Sequence, residues 1–237
     1  MKFLHVLVVF STLLILTNQS WANNNLVAGG AGDVDTNKTW EIRNSSGGLV
    51  SSGSLLATQT GHCGVRLSSV KIMLVGGTAS PSTWEIRNAS GGLVSNGSLA
   101  ATRSGGHSCT KLSSGNMMIV GGTSTPGGWE IRNSTGGLVS SGSLWANRNL
   151  HSATLLTDGN VLVVGGTASP GTWEIRDSTG GLVSTGTLWS SRSGHCAVSL
   201  SSGNIFLGGG TASSSNWEIR NSSGSLSRVD FSGLHIR

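Results

Sequence analysis

The side chains able to do acid–base or ligand chemistry recur at one period. Every glutamate stands second in a Trp-Glu-Ile-Arg tetrapeptide, at Glu41, Glu85, Glu130, Glu174 and Glu218. His62, His107, His151 and His195 recur upstream of it, 45, 44 and 44 residues apart. Carboxylates could act as general acids or bases, and equivalent imidazoles could converge on a transition metal. Repetition argues against both. A catalytic site in a repeat protein breaks the symmetry, and a ring of equivalent imidazoles is too wide to share one ion. Carboxylates that would orient those rings as ligands are also missing. No metal and no cofactor are therefore expected; the weak alternative is a set comprising His62, His107, His151, His195 and His235. Each histidine is expected to start an inner strand and to hydrogen-bond backbone of its own or the next repeat. The glutamates and the arginines of the same tetrapeptides, among them Glu85, Arg87, Glu130, Arg132, Glu174 and Arg176, are expected to pair, within a repeat or across to the next, because a buried charge left unpaired is strongly destabilising.

Two features depart from the period. Asp33 and Asp35 lie in a three-residue insertion between Gly30 and Trp40. A variable position before the histidine reads Leu56, Ala100, Trp145 and Trp189. Trp145 and Trp189 would suit stacking on a sugar or packing on a protein, with core packing as the competing role. These four residues, Asp33, Asp35, Trp145 and Trp189, are the candidate binding residues. Cys63, Cys109 and Cys196 are odd in number and sit in different repeats, so small buried side chains on inner strands are expected rather than a disulfide framework.

The elements that must position these groups follow from the repeat. Trp-Glu-Ile-Arg begins at Trp40, Trp84, Trp129, Trp173 and Trp217, in steps of 44 and 45 residues. A Gly-Gly pair precedes each copy, including Gly76-Gly77, Gly121-Gly122 and Gly165-Gly166. In the clearest unit, residues 151–156 alternate, and Thr157-Asp158-Gly159-Asn160 reads as a two-residue hairpin. Val161–Val164 is continuously apolar, as in a strand covered on both faces. Gly165-Gly166 ends it where a side chain would collide. Trp173–Arg176 forms a third strand, a turn follows at Asp177-Ser178-Thr179-Gly180, and Leu182–Leu188 forms a weaker fourth. Alternation then sends Trp173 and Ile175 toward one neighbouring unit, Glu174 and Arg176 toward the other. Four short antiparallel strands per unit define a propeller blade.

The expected architecture is all-β, a propeller of four-stranded blades in units of about residues 23–60, 61–105, 106–149, 150–193 and 194–237. The first unit lacks a first strand, and residues 231–237 resemble one. Five blades closed by that C-terminal strand, without a free edge, is the expectation; a truncated copy of a six- or seven-bladed ring is the alternative. Residues 1–22 read as a cleavable secretory signal: Lys2, an apolar run from Val6 to Leu16 too short to span a bilayer, then Ser20-Trp21-Ala22. A secreted, periplasmic or extracellular monomer without a membrane span in residues 23–237 is expected. The 15 basic residues are spread through the repeats, so the net charge of +5 does not form a nucleic-acid patch. Sequons at Asn37, Asn44, Asn88, Asn96, Asn133 and Asn221 fall in or near turns.

On these residues the chain resembles the kelch-repeat family, especially its secreted bacterial form. His151, Asp158-Gly159, Gly165-Gly166 and Glu174-Ile175 carry the likeness, which extends over nearly all of residues 25–230. It departs where the family has an aromatic two after the glutamate and a tryptophan on the fourth strand; Arg176 and Leu182 stand there. The resemblance implies a propeller and leaves activity open. Copper radical oxidases of similar fold need tyrosine, and this chain has none. A non-catalytic module binding a protein or glycan is the expected function. A secreted sugar mutarotase or epimerase and a structural or adhesive surface protein are the alternatives.

Overall fold

The computed structural model describes residues 25–29, 38–212 and 215–229. The signal-like segment, Asp33, Asp35, His235 and the closing strand expected at 231–237 lie outside them.

Five antiparallel sheets form from consecutive stretches of chain. The first comprises β1 (Asn25–Ala28), β2 (Thr39–Arg43) and β3 (Leu49–Ser54). Four-stranded sheets follow: β4 (Cys63–Ser68), β5 (Lys71–Val75), β6 (Thr83–Asn88) and β7 (Leu93–Ser98), then β8 (Ser108–Lys111), β9 (Met117–Val120), β10 (Gly128–Arg132) and β11 (Leu138–Ser143). The last two are β12 (Ser152–Leu155), β13 (Val161–Val164), β14 (Thr172–Arg176) and β15 (Leu182–Thr187), and β16 (Cys196–Ser199), β17 (Ile205–Gly208), β18 (Trp217–Arg220) and β19 (Leu226–Val229). Each sheet is a meander in sequence order, as short hairpin connections require. The first strands β4, β8, β12 and β16 neighbour one another from sheet to sheet, so they form the inner edge. Among the described residues the first sheet lacks this inner member.

Burial explains the strand types. Second strands such as β9 and β13 are apolar at every position and fully covered, being flanked on both faces by neighbouring sheets. Outer strands such as β11 and β15 are largely exposed, which suits their Ser and Gly content. The hydrophobic cores sit between sheets: Trp129, Ile131, Met118 and Val120 of the third pack on Val161 and Val163 of the fourth. Trp129 and Ile131 thus face the following sheet, while Glu130 and Arg132 face the preceding one, as strand alternation demands.

The turn after β12 differs from the two-residue reading. Leu156 and Asn160 close it through Leu156 N–H donating to Asn160 O at 2.8 Å, leaving Thr157, Asp158 and Gly159 in the loop. Gly159 takes φ +88°, the left-handed position of a three-residue hairpin loop. Between third and fourth strands an Asn or Asp side chain substitutes for backbone. Asn133 Oδ1 accepts from Thr135 N, Thr135 Oγ1 and Gly137 N at 2.7–3.0 Å. Asp177 does the same in the next sheet, and the Thr179 hydroxyl leads the hydrogen bonds that lower its carboxyl below the usual range.

Candidate functional site

Each seam between sheets is organised around one buried carboxylate. Glu174 Oε2 accepts from Arg176 Nε at 2.9 Å and Nη2 at 2.8 Å within its own strand. From the preceding unit, Trp145 N–H reaches Oε2 at 3.0 Å and Arg148 Nε reaches Oε1 at 2.9 Å. Glu130 repeats this with Arg132, Ala100 N and Arg103, and Glu218 with Arg220, Trp189 N and Arg192. Of the two expected arrangements the Glu–Arg pair forms within the strand, and at Glu130, Glu174 and Glu218 a second arginine, not foreseen from the tetrapeptide, joins it from the preceding unit. Arg103, Arg148 and Arg192 recur 45 and 44 residues apart, a signal present in the sequence but lying in the connecting segment. Their Nη1 groups also donate to strand-end carbonyls, Arg148 to Gly165 O and Thr172 O at 2.9 and 3.0 Å. Gln59 takes this position at the first complete seam. With both oxygens held by cations, these carboxylates are structural.

Tryptophan completes the seam. Trp84 Nε1 donates to Ser98 O at 3.2 Å, and its ring covers Gly97 and meets Gly136 of the next sheet. The Arg132 guanidinium sits 5.9 Å from that ring's centroid, a cation–π contact across the seam.

Among the described residues no three histidines come within ligating reach of one another. His107 Nε2 lies 3.0 Å from Val75 O, whereas His151 and His195 place Nε2 2.7 Å from Ser108 Oγ and 2.8 Å from Ser152 Oγ. Each partner belongs to the preceding sheet, so the hydrogen bonds run backwards and two of them reach side chains rather than backbone. Burial holds His62, His107 and His195 down at about 4 and His151 at about 3, the last also through Arg148 and neighbouring imidazoles. An unfolded histidine titrates near 6.5, so between pH 6.5 and about 4 the unfolded chain takes up protons that the fold refuses. The contribution of each ring, on the order of 1–3 kcal/mol, is complete above pH 6.5 and lost as pH falls through that window. The urea midpoint is expected to drop between pH 7.5 and 4.5, less steeply for His151→Gln; equal midpoints at the two pH values would refute this.

The cysteines correct the sequence reading. Cys63 and Cys109 are disulfide-bonded, with Cα atoms 5.9 Å apart, and join the adjacent inner strands β4 and β8. Being in different repeats does not separate them, because consecutive inner strands touch. Cys196 is free and half-buried.

Antiparallel alternation puts the second-to-third-strand loops and the sheet-to-sheet connections on one edge of the molecule. Trp145 and Trp189 lie here and are exposed, at 53% and 43%, which excludes the core-packing role. Their backbone is pinned by Glu174 and Glu218, so position and exposure are set by the seam beneath. Where the same position carries Ala100 an open cleft of about 700 Å³ lies between the connection and strand β10, reaching Arg103, Glu130 and Asn147. Leu56 rims a smaller one of about 240 Å³ at Trp84 and Glu85. Trp189 itself lines a third, of about 390 Å³, with Arg220 and Leu226.

No family model matches the sequence, and no curated protein matches it. Solved structures of low identity do. A Bacteroides caccae protein of unknown function is 17% identical with a TM-score of 0.57, over 88% of this chain and 72% of its own. BamB from Moraxella catarrhalis is 13% identical with a TM-score of 0.55, over 88% and 61%. BBS1N, solved in complex with ARL6DN, is 13% identical with a TM-score of 0.52, over 86% and 59%. The chain spans about three fifths of the length of the last two. BamB and BBS1N are β-propellers. With five successive antiparallel sheets, four of them four-stranded, this chain has the propeller type of fold.

Proposed function

We propose that the chain is a secreted, kelch-type propeller that acts as a non-catalytic binding module for a protein partner. The observation carrying this is the pair of exposed tryptophans at equivalent positions of successive connections, on the loop-bearing edge, with Trp189 lining an open cleft. Tryptophan about half exposed and held by a rigid backbone gives large contact area with little ordering entropy, the character of an interface anchor. The buried glutamates cannot compete as a catalytic centre, since each is neutralised by arginine. BBS1N was crystallised bound to a protein, which agrees with this use of the fold.

The test presents the purified chain to a glycan array and to a panel of purified extracellular proteins, beside a Trp145→Ala/Trp189→Ala variant. Discrete protein hits that weaken at least tenfold in the variant, with its melting temperature unchanged, are the expected result. Discrete sugar hits lost in the variant would replace the protein partner by a glycan. Hits indifferent to the substitutions would overturn the reading.

A further inference from the structure

The inner-strand seams share one pattern, and one of them breaks it. At the third-to-fourth seam Ser108 meets His151 and Ala153 stands beside them; at the fourth-to-fifth, Ser152 meets His195 beside Ala197. The corresponding residues at the second-to-third seam are Cys63, His107 and Cys109. One ring nitrogen of His107 and both sulfurs lie within 4.8 Å of one another, the one such group of three or more His, Cys, Asp or Glu among the described residues. His107 Nε2 faces the Val75 carbonyl at 3.0 Å and so carries the proton. Its Nδ1 then keeps a free lone pair and is buried without a hydrogen-bond partner, as is Nδ1 of His62, His151 and His195.

We propose that Cys63, Cys109 and His107 form a binding site for a thiophilic d¹⁰ cation, Zn²⁺ or Cu⁺, in the reduced protein, and that the disulfide is its oxidised, metal-free form. Two thiolates and one imidazole suit such ions and select against Mg²⁺ and Ca²⁺. For Zn²⁺ the two thiolate charges cancel the ion's, so the seam stays neutral. The step balances. A dithiol reductant passes two electrons and two protons to the S–S bond and itself closes to a disulfide; both thiols then release their protons as the ion binds. Cys109 and His107 are only partly buried, which leaves the ion a way in. Inner strands β4 and β8 are thus joined in either state, by a covalent bond or by an ion.

Co²⁺, whose thiolate charge-transfer absorption reports sulfur ligation, is the probe. Titrated into the phosphine-reduced full chain, it is expected to give those bands at one equivalent and to be displaced by Zn²⁺. Cys63→Ser and Cys109→Ser should abolish the bands, His107→Ala should weaken affinity at least tenfold, and the oxidised chain should show none. Absent bands in folded reduced protein, or bands that ignore His107→Ala, would overturn the site. Should reduction alone unfold the chain, Zn²⁺ must restore a cooperative melt to the wild type and not to His107→Ala; failure to do so also refutes it.

Discussion

Glu174→Gln is expected to lower stability by about 3–5 kcal/mol, the usual consequence of removing one partner from a buried ion pair. The carboxylate is fully buried and is approached by Arg148 and Arg176, whose side chains are 0% and 6% exposed. Glutamine keeps the shape and one acceptor, but leaves two desolvated guanidinium groups without a counter-charge. Arg148→Met should be milder where packing is kept, yet still strips Gly165 O and Thr172 O of their donor. The chain contains its own control. Glu41 and Arg43 form the equivalent pair in the first sheet at 39% and 42% exposure, so Glu41→Gln should change stability by less than about 1 kcal/mol. Urea denaturation measures all three, and an unchanged midpoint for Glu174→Gln would show that the carboxylate does not hold the seam.

Gly165→Ala should be comparably damaging, about 3 kcal/mol or more, from a left-handed backbone and overpacking together. Gly165 has φ +63°, and a Cβ there would run into the Arg192 carbonyl oxygen and stand 3.1 Å from His195 Cε1. Both belong to the connection into the next sheet and neither can withdraw, because Arg192 and His195 are themselves held by hydrogen bonds. Gly159→Ala separates conformation from crowding. Its φ is +88°, but nothing lies closer to a new Cβ than Ser113 Oγ at 3.6 Å, so about 1 kcal/mol is expected. Equal losses in the two variants would mean that backbone strain alone accounts for the Gly-Gly pair.

A partner-binding role and a redox-dependent metal site would occupy different parts of the molecule. The exposed tryptophans lie on the connections, while Cys63 and Cys109 sit on inner strands and His107 beside them. The serine at Ser108 and Ser152 shows what the cysteine position does elsewhere, meeting the next histidine as a neutral polar partner. Among the described seams only the second-to-third brings two sulfurs together, Cys63 at the serine position and Cys109 at the position of Ala153 and Ala197.

Much of this protein was legible in its sequence. The 44-residue period, the apolar second strands and the alternation through Trp-Glu-Ile-Arg establish five sheets and say which neighbour each side chain faces, because a strand's period of two is a local property. That glutamate and arginine pair follows for the same reason, although whether within a repeat or across to the next stayed open. What crosses a seam was not legible. Arg148 meets Glu174 across 26 residues, Cys63 meets Cys109 across 46, and the exposure of Trp145 depends on how its connection lies over the next sheet. Alternation assigns a direction but not the stagger of one sheet against the next, and that offset is decided by packing tryptophan, arginine and backbone of both sheets together. The sequence by itself therefore determined the strands and their facing; only the tertiary structure decided which groups from different repeats come into contact.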